Sequence, residues 1–216
     1  MRVLRLLLSF VFLFLATRQP VTPPNPKQEL AAHMIMFLDS HGEPDAQCTG
    51  TAVGPHAFMT AAHCNDSDTP DVLVQIDLST KRFHLIAVNS DHRDHVIYLT
   101  DATFVNYVDV NERPAIVKEP VHMWGCGEGT FPPRELTGKV DEQDDKSDID
   151  AADDAHGYSL HVIPGDSGSA IYGNDGAIVG LVTYSHSTWF GLRHTAKGFG
   201  LAFSPEALLV ARTFQP

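Results

Sequence analysis

Basic residues are scarce in this chain of 216 residues: 15 Lys and Arg stand against 27 Asp and Glu, a formal net charge of -12 with the 12 histidines neutral. Nucleic-acid binding rests on Lys and Arg neutralising phosphates, and no basic cluster occurs, so it is excluded as the main activity. Charge of either sign is sparse, 19% of residues against 43% hydrophobic, which excludes a solvated disordered chain. The length suits one large domain or two small barrels sharing a core. Long apolar runs are missing too. Leu6 to Ala16, interrupted at Ser9, is 11 residues long and too short to cross a bilayer. Cysteine is rare, and the count of three (Cys48, Cys64, Cys126) leaves one over after any pairing.

What is present gives the chain its organisation. Arg2 and Arg5 ahead of the apolar run have the form of a signal peptide over residues 1–19, with an uncleaved membrane anchor as the alternative, since no clear A-x-A site follows Ala16. The expected location is therefore secreted or extracytoplasmic. Residues 20–30 hold four prolines and read as a spacer. From about Ala31 the pattern becomes strand-sized apolar segments separated by turn residues, with 16 glycines and 14 prolines along the chain.

The first set of segments is His33–Leu38, Ala57–Ala62, Val72–Leu78, Phe83–Val88, His95–Thr100 and Phe104–Val110. The second set is Val121–Gly125, Leu136–Val140, Tyr158–Ile163, Ala170–Tyr172, Ala177–Thr183 and Phe199–Phe203. Two such groups predict an all-β protein of two packed barrels, spanning residues 31–113 and 114–216. Asn174-Asp175-Gly176 is a hairpin signal, and Ser204-Pro205-Glu206 opens a short C-terminal helix. Residues 141–154 carry eight carboxylates and one Lys, a solvated loop by composition; they lack the Gly and closing Glu of an EF-hand calcium loop.

Two short segments carry chemistry. Thr60-Ala-Ala-His63-Cys64 sets a histidine among small residues after an apolar segment, and Gly165-Asp-Ser167-Gly168 holds a serine between glycines. A serine hydroxyl needs an adjacent base to act as a nucleophile, and imidazole titrates near neutrality. Glycines let backbone N–H groups approach a substrate oxygen. Ser169 occupies the last glycine position of a G-x-S-x-G elbow, which counts against an α/β-hydrolase.

In these two motifs, their order and their spacing of about a hundred residues, the sequence resembles the chymotrypsin-like (trypsin-like) serine peptidases over roughly residues 31–210. The resemblance implies two six-stranded antiparallel barrels with a cleft between them. It also implies an endopeptidase acting through an acyl-enzyme, with Ser167 as nucleophile, His63 as base and the amides of Gly165 and Ser167 as the oxyanion hole. It implies a disulfide between Cys48 and Cys64, with Cys126 a buried thiol or an intermolecular partner. The orienting acid is Asp94 in preference to Asp101, with Asp91 third; the family usually places an apolar residue where His95 stands. A noncatalytic binding protein on the same fold is the alternative function.

No Ile-Val-Gly-Gly segment precedes Cys48, so the resemblance implies no trypsinogen-like activation, and Asp166 needs a partner other than a new N-terminus. His161 stands six residues before the serine, where trypsins place an Asp, so cleavage after Lys or Arg is not expected. His161 suits an acidic side chain or caps an apolar pocket walled by Gly200, and Thr183-Tyr184-Ser185 resembles the strand that pairs with substrate backbone. His92 and His95 lack a third ligand nearby, so no metal or other cofactor is expected. The expected partner is a peptide or protein substrate, with the protein a monomer and no membrane contact beyond the leader.

Overall fold

The computed structural model describes residues 25–65, 69–76, 79–91, 93–143, 155–187 and 194–216. The leader, His92 and most of the acidic loop lie outside the described residues. Twelve strands form two closed antiparallel barrels. The first joins β1 (Ala32–Leu38), β2 (Pro44–Gly54), β3 (Ala57–Ala61), β4 (Asp71–Ile76), β5 (Ser79–Ser90) and β6 (His95–Thr100) in the order β1-β2-β3-β6-β5-β4. The second joins β7 (Pro120–Gly125), β8 (Arg134–Gln143), β9 (Ala155–His161), β10 (Ala170–Gly173), β11 (Ile178–Ser187) and β12 (His194–Phe199) in the order β10-β11-β12-β9-β8-β7. The two barrels agree with the all-β double-barrel expectation.

Ten of the expected segments are strands, and two are not. Phe104–Val110 does not enter the sheet: Phe104 and Val108 are buried, but their N–H groups donate to Pro55 O at 2.8 Å and Ala52 O at 3.0 Å. These carbonyls lie in and beside the β2–β3 turn, so the segment's apolar residues pack against the barrel as a loop. The sixth strand of that barrel is β2, whose Thr, Gly and Ala residues form no large apolar run for a sequence pattern to register. In the second barrel the last strand ends at Phe199, where the expected one began. Leu201 and Phe203 bury their side chains from irregular backbone as the chain returns to the first barrel.

The Asn174-Asp175-Gly176 turn is the expected hairpin, with Gly176 at φ +80° and Gly173 N–H bonded to Ala177 O. The spacer is in part helical. Helix α1 (Pro26–Ala31) starts with Pro26 at its first turn and an Asn25–Gln28 capping box. The C-terminal helix α2 (Pro205–Thr213) is capped by Ser204 Oγ, which accepts from Ala207 N at 3.2 Å. Although it follows the second barrel in sequence, α2 packs on the first: Ala211 is buried in that core and its carbonyl lies against Gly54. Trp124, Tyr172 and Leu181 of the second barrel join the same core, so the two barrels share a packed seam. No described helix is long and apolar enough to cross a membrane.

Candidate active site

The candidate residues gather at this seam. Strand β3 ends in small residues, Ala61 being fully buried, and passes into a 3-10 turn, Ala62–Asn65, that carries His63. Cys64, next in the chain, is bridged to Cys48 of β2. The bridge pins the turn to the strand beneath it and leaves neither sulfur as a metal thiolate.

Asp94 comes from the turn between β5 and β6. Its carboxylate accepts twice from one residue, from His63 Nδ1 at 2.7 Å and from the His63 backbone N–H at 2.8 Å. The Asp94 carbonyl accepts from Ala62 N–H at 2.8 Å. A carboxylate can only accept, so Nδ1 carries a proton, and when the ring is neutral its lone pair is at Nε2. Asp101 lies elsewhere, accepting from the His84 N–H at 2.8 Å and from Thr100 Oγ1 at 3.4 Å. Asp91 bonds His95, not His63.

The Ser167 loop reaches the same place from the second barrel. Thr49, one residue beyond Cys48, donates its N–H to Ser167 O and its Oγ1 to Gly165 O, both at 2.8 Å, and accepts from Cys126 N–H at 2.9 Å. Gly168, at φ +84°, sits so close to Thr60 and the Thr49 carbonyl that a Cβ would overlap both. The loop is thereby seated on the strand end that leads into His63. Gly165 has φ +97°. Among the described residues, neither the Gly165 nor the Ser167 N–H donates to an acceptor.

Asp166, fully buried behind the serine, is held by Arg134 and by the N–H groups of Gly127 and Ile163, each at 2.9 Å. Burial pushes its carboxyl up, against the pull of these amides and the guanidinium. Burial likewise pushes the Cys126 thiol up to about 12, so it stays protonated. Thr49 and Arg134 have no sequence signal: one lies in a strand without an apolar pattern, the other beside prolines.

Strand β11 continues past its pairing with β10, which ends at Leu181, while its other edge stays paired to β12 through Ser187. Thr183 to Ser185 therefore form a strand edge next to the serine loop. His161 ends β9 opposite Thr195 and is exposed; Gly200 is five residues further along, at the other end of β12, so the structure does not bring these two together. The residue next to Thr195, Ala196, is buried and paired with Ser185. Beside Ala62 and Asn65, a hollow of about 410 Å³ is lined by Leu85, Ile86, Val88 and Tyr98.

The trypsin-like peptidase domain matches residues 48–181 of the sequence. No curated protein matches it. Among solved structures, the active form of the Rv3671c protease from M. tuberculosis is 20% identical, with a TM-score of 0.68 over 93% of this chain and 94% of that one. The HtrA-type protease AlgW with tripeptide is 14% identical, with a TM-score of 0.66 over 86% of this chain and 60% of that one. A serine endoprotease from Yersinia pestis is 15% identical, with a TM-score of 0.61 over 83% of this chain and 63% of that one. The double barrel is shared with all three, and the domain match across most of the chain makes this protein a member of the trypsin-like peptidase family.

Proposed function

We propose that the protein is an exported serine endopeptidase in which Ser167, His63 and Asp94 act as one catalytic unit. The observation that carries this reading is the double acceptance by Asp94 from His63, because it fixes both the ring's tautomer and the position of its backbone. Ser167 Oγ bonds to the scissile carbonyl carbon as its proton passes to His63 Nε2. The carbonyl oxygen becomes an oxyanion received by the Gly165 and Ser167 amides. Collapse breaks the C–N bond, the amine leaves with the proton from His63, and an acyl ester remains on Ser167. Water then attacks that ester with His63 again as base, releasing the acid and restoring the serine.

Substrate backbone adds to the free edge at Thr183–Ser185 as an extra strand, which aligns the scissile bond with Ser167. His161 stands where trypsins carry an Asp, so a Lys or Arg side chain of the substrate finds no carboxylate at that position. Export is supported by the leader's composition together with a disulfide, which persists in oxidising compartments.

The test is peptide cleavage by purified Ser167→Ala and His63→Ala proteins. Each should lose turnover by about a millionfold while keeping the wild-type circular dichroism spectrum. Wild-type cleavage by Ser167→Ala would falsify the assignment.

A further inference from the structure

A second Asp–His pair closes the turn from which Asp94 reaches His63. Asp91 and His95 bracket the turn that carries Asp94, and both side chains are withdrawn from solvent. His95 Nδ1 donates to Asp91 Oδ2 at 2.7 Å, and the Asp91 N–H donates to His95 O at 3.2 Å, so side chain and backbone both close the turn. Asp91 Oδ1 accepts from Arg93 N–H at 2.9 Å, inside the turn. Asp91 Oδ2 also accepts from Ala202 N–H at 3.0 Å, and Arg93 Nη1 donates to Gly200 O at 3.4 Å. These last two bonds reach the chain leaving the second barrel. Among the described residues, the Arg93 guanidinium and Glu112 of the inter-barrel connection are further charged groups facing this cluster.

The pair is costly. It buries a charge and a ring, and among the described residues His95 Nε2 is buried without a hydrogen-bond partner. An apolar residue would fill the strand position without that cost. What the pair encloses is Asp94 at φ +64°, a left-handed conformation uncommon for a residue with a Cβ though easier for Asp than for most, and the bonds of Asp91 and His95 close the turn around it. In that conformation the Asp94 carboxylate meets both His63 donors.

The geometry points to Asp91 as a positioning residue for the reaction: through His95 and the Arg93 amide it holds the turn in the conformation that aims Asp94 at His63, and through Ala202 it ties that turn to the second barrel. The inference rests on the proposed role of Asp94. Asp91→Asn is the direct probe, because it keeps the shape and the bond to Arg93 but sets an amide donor against the donors of His95 and Ala202.

In the full-length protein, with active sites counted by a fluorophosphonate label, Asp91→Asn is expected to lower kcat about 100-fold with KM within about twofold. In proton NMR spectra, the low-field signal of the His63 Nδ1 proton should shift or broaden. A general loss of stability would lower the number of active sites but leave kcat per site and that signal in place. An unchanged kcat per site with an unchanged His63 signal overturns the inference. Should Asp91→Asn not fold, His95→Val reads the same relationship with the strand volume filled, and the same two outcomes decide. Retained turnover in Ser167→Ala rejects the catalytic unit itself, whereas an inert Asp91→Asn change in an enzyme that depends on Ser167 rejects the positioning role alone.

Discussion

Arg134 closes onto the buried carboxylate of Asp166, the residue immediately before Ser167. In family members activated by cleavage, a newly made N-terminus supplies this cation. Here it comes from the start of β8, so the charge that braces the serine loop is built into the fold. Replacing Arg134 by Met leaves Asp166 with its two amides and no counter-charge. The expected cost is about 3 kcal/mol of stability, with a fall in kcat as the Gly165 and Ser167 amides lose their backing. Urea unfolding and steady-state kinetics on the purified variant measure the two effects separately.

The acid of the proposed catalytic unit is tested by a pair of substitutions. Asp94→Asn should reduce kcat by about 10⁴-fold, because an amide facing His63 Nδ1 favours the wrong tautomer. Among the described residues, the Asp101 carboxylate bonds the His84 amide and Thr100 at the surface, so kcat of Asp101→Asn should stay within about twofold of wild type. Measured in one assay, the reverse order would move the role to Asp101.

The sequence and the structure meet where the chemistry is local. The placement of His63, Ser167 and the glycines beside it is legible because a short string of residue types makes the turn and the close approach together. Strands with large apolar residues, such as β6 and β11, are legible for the same reason. β2 is not, because its packing requires small residues. Gly50 in it sits against Ile35 and Phe58, where an added Cβ would come within 3.1 Å of both. The braces of the site are illegible in a different way. Thr49 to Gly165, Arg134 to Asp166 and Asp91 to Ala202 each join residues more than thirty positions apart through single polar bonds, which leave no periodicity. Gly200 lies beyond the end of β12 remote from His161, because the strand runs earlier in the chain than its apolar pattern suggests.

The Cys48–Cys64 bridge closes a loop with a sequence separation of 16 around β3 and the His63 turn. In the chain-entropy model such a loop contributes about 3 kcal/mol, all of it lost on reduction. A thiol reductant should therefore lower the thermal midpoint by at least several degrees, and intact-mass analysis of the oxidised protein after alkylation should find one modified thiol, Cys126, on unfolding. Two additional alkylated cysteines in the oxidised protein would contradict the bridge.

Acid lability should be set by aspartates whose folded forms favour the charged state. The Arg113 guanidinium bonds Asp175 at 2.8 and 2.9 Å and holds its carboxyl down to about 2. Burial works to raise the Asp91 carboxyl, but the His95 bond and charge and the Arg93 and Ala202 amides outweigh it and hold it below its ordinary value. In both cases the folded protein binds the proton more weakly than the unfolded chain does. The stabilisation is therefore complete above the unfolded value near 4 and is lost as pH falls through the folded values. Asp175 is 55% exposed, so solvent screening limits its share to about 0.5–1 kcal/mol. Urea unfolding from pH 5 down to pH 2 should show stability declining below pH 4, and Asp175→Asn should make that decline shallower while lowering stability at pH 7. A decline of unchanged steepness in Asp175→Asn would remove the Arg113 pair from the account of acid unfolding.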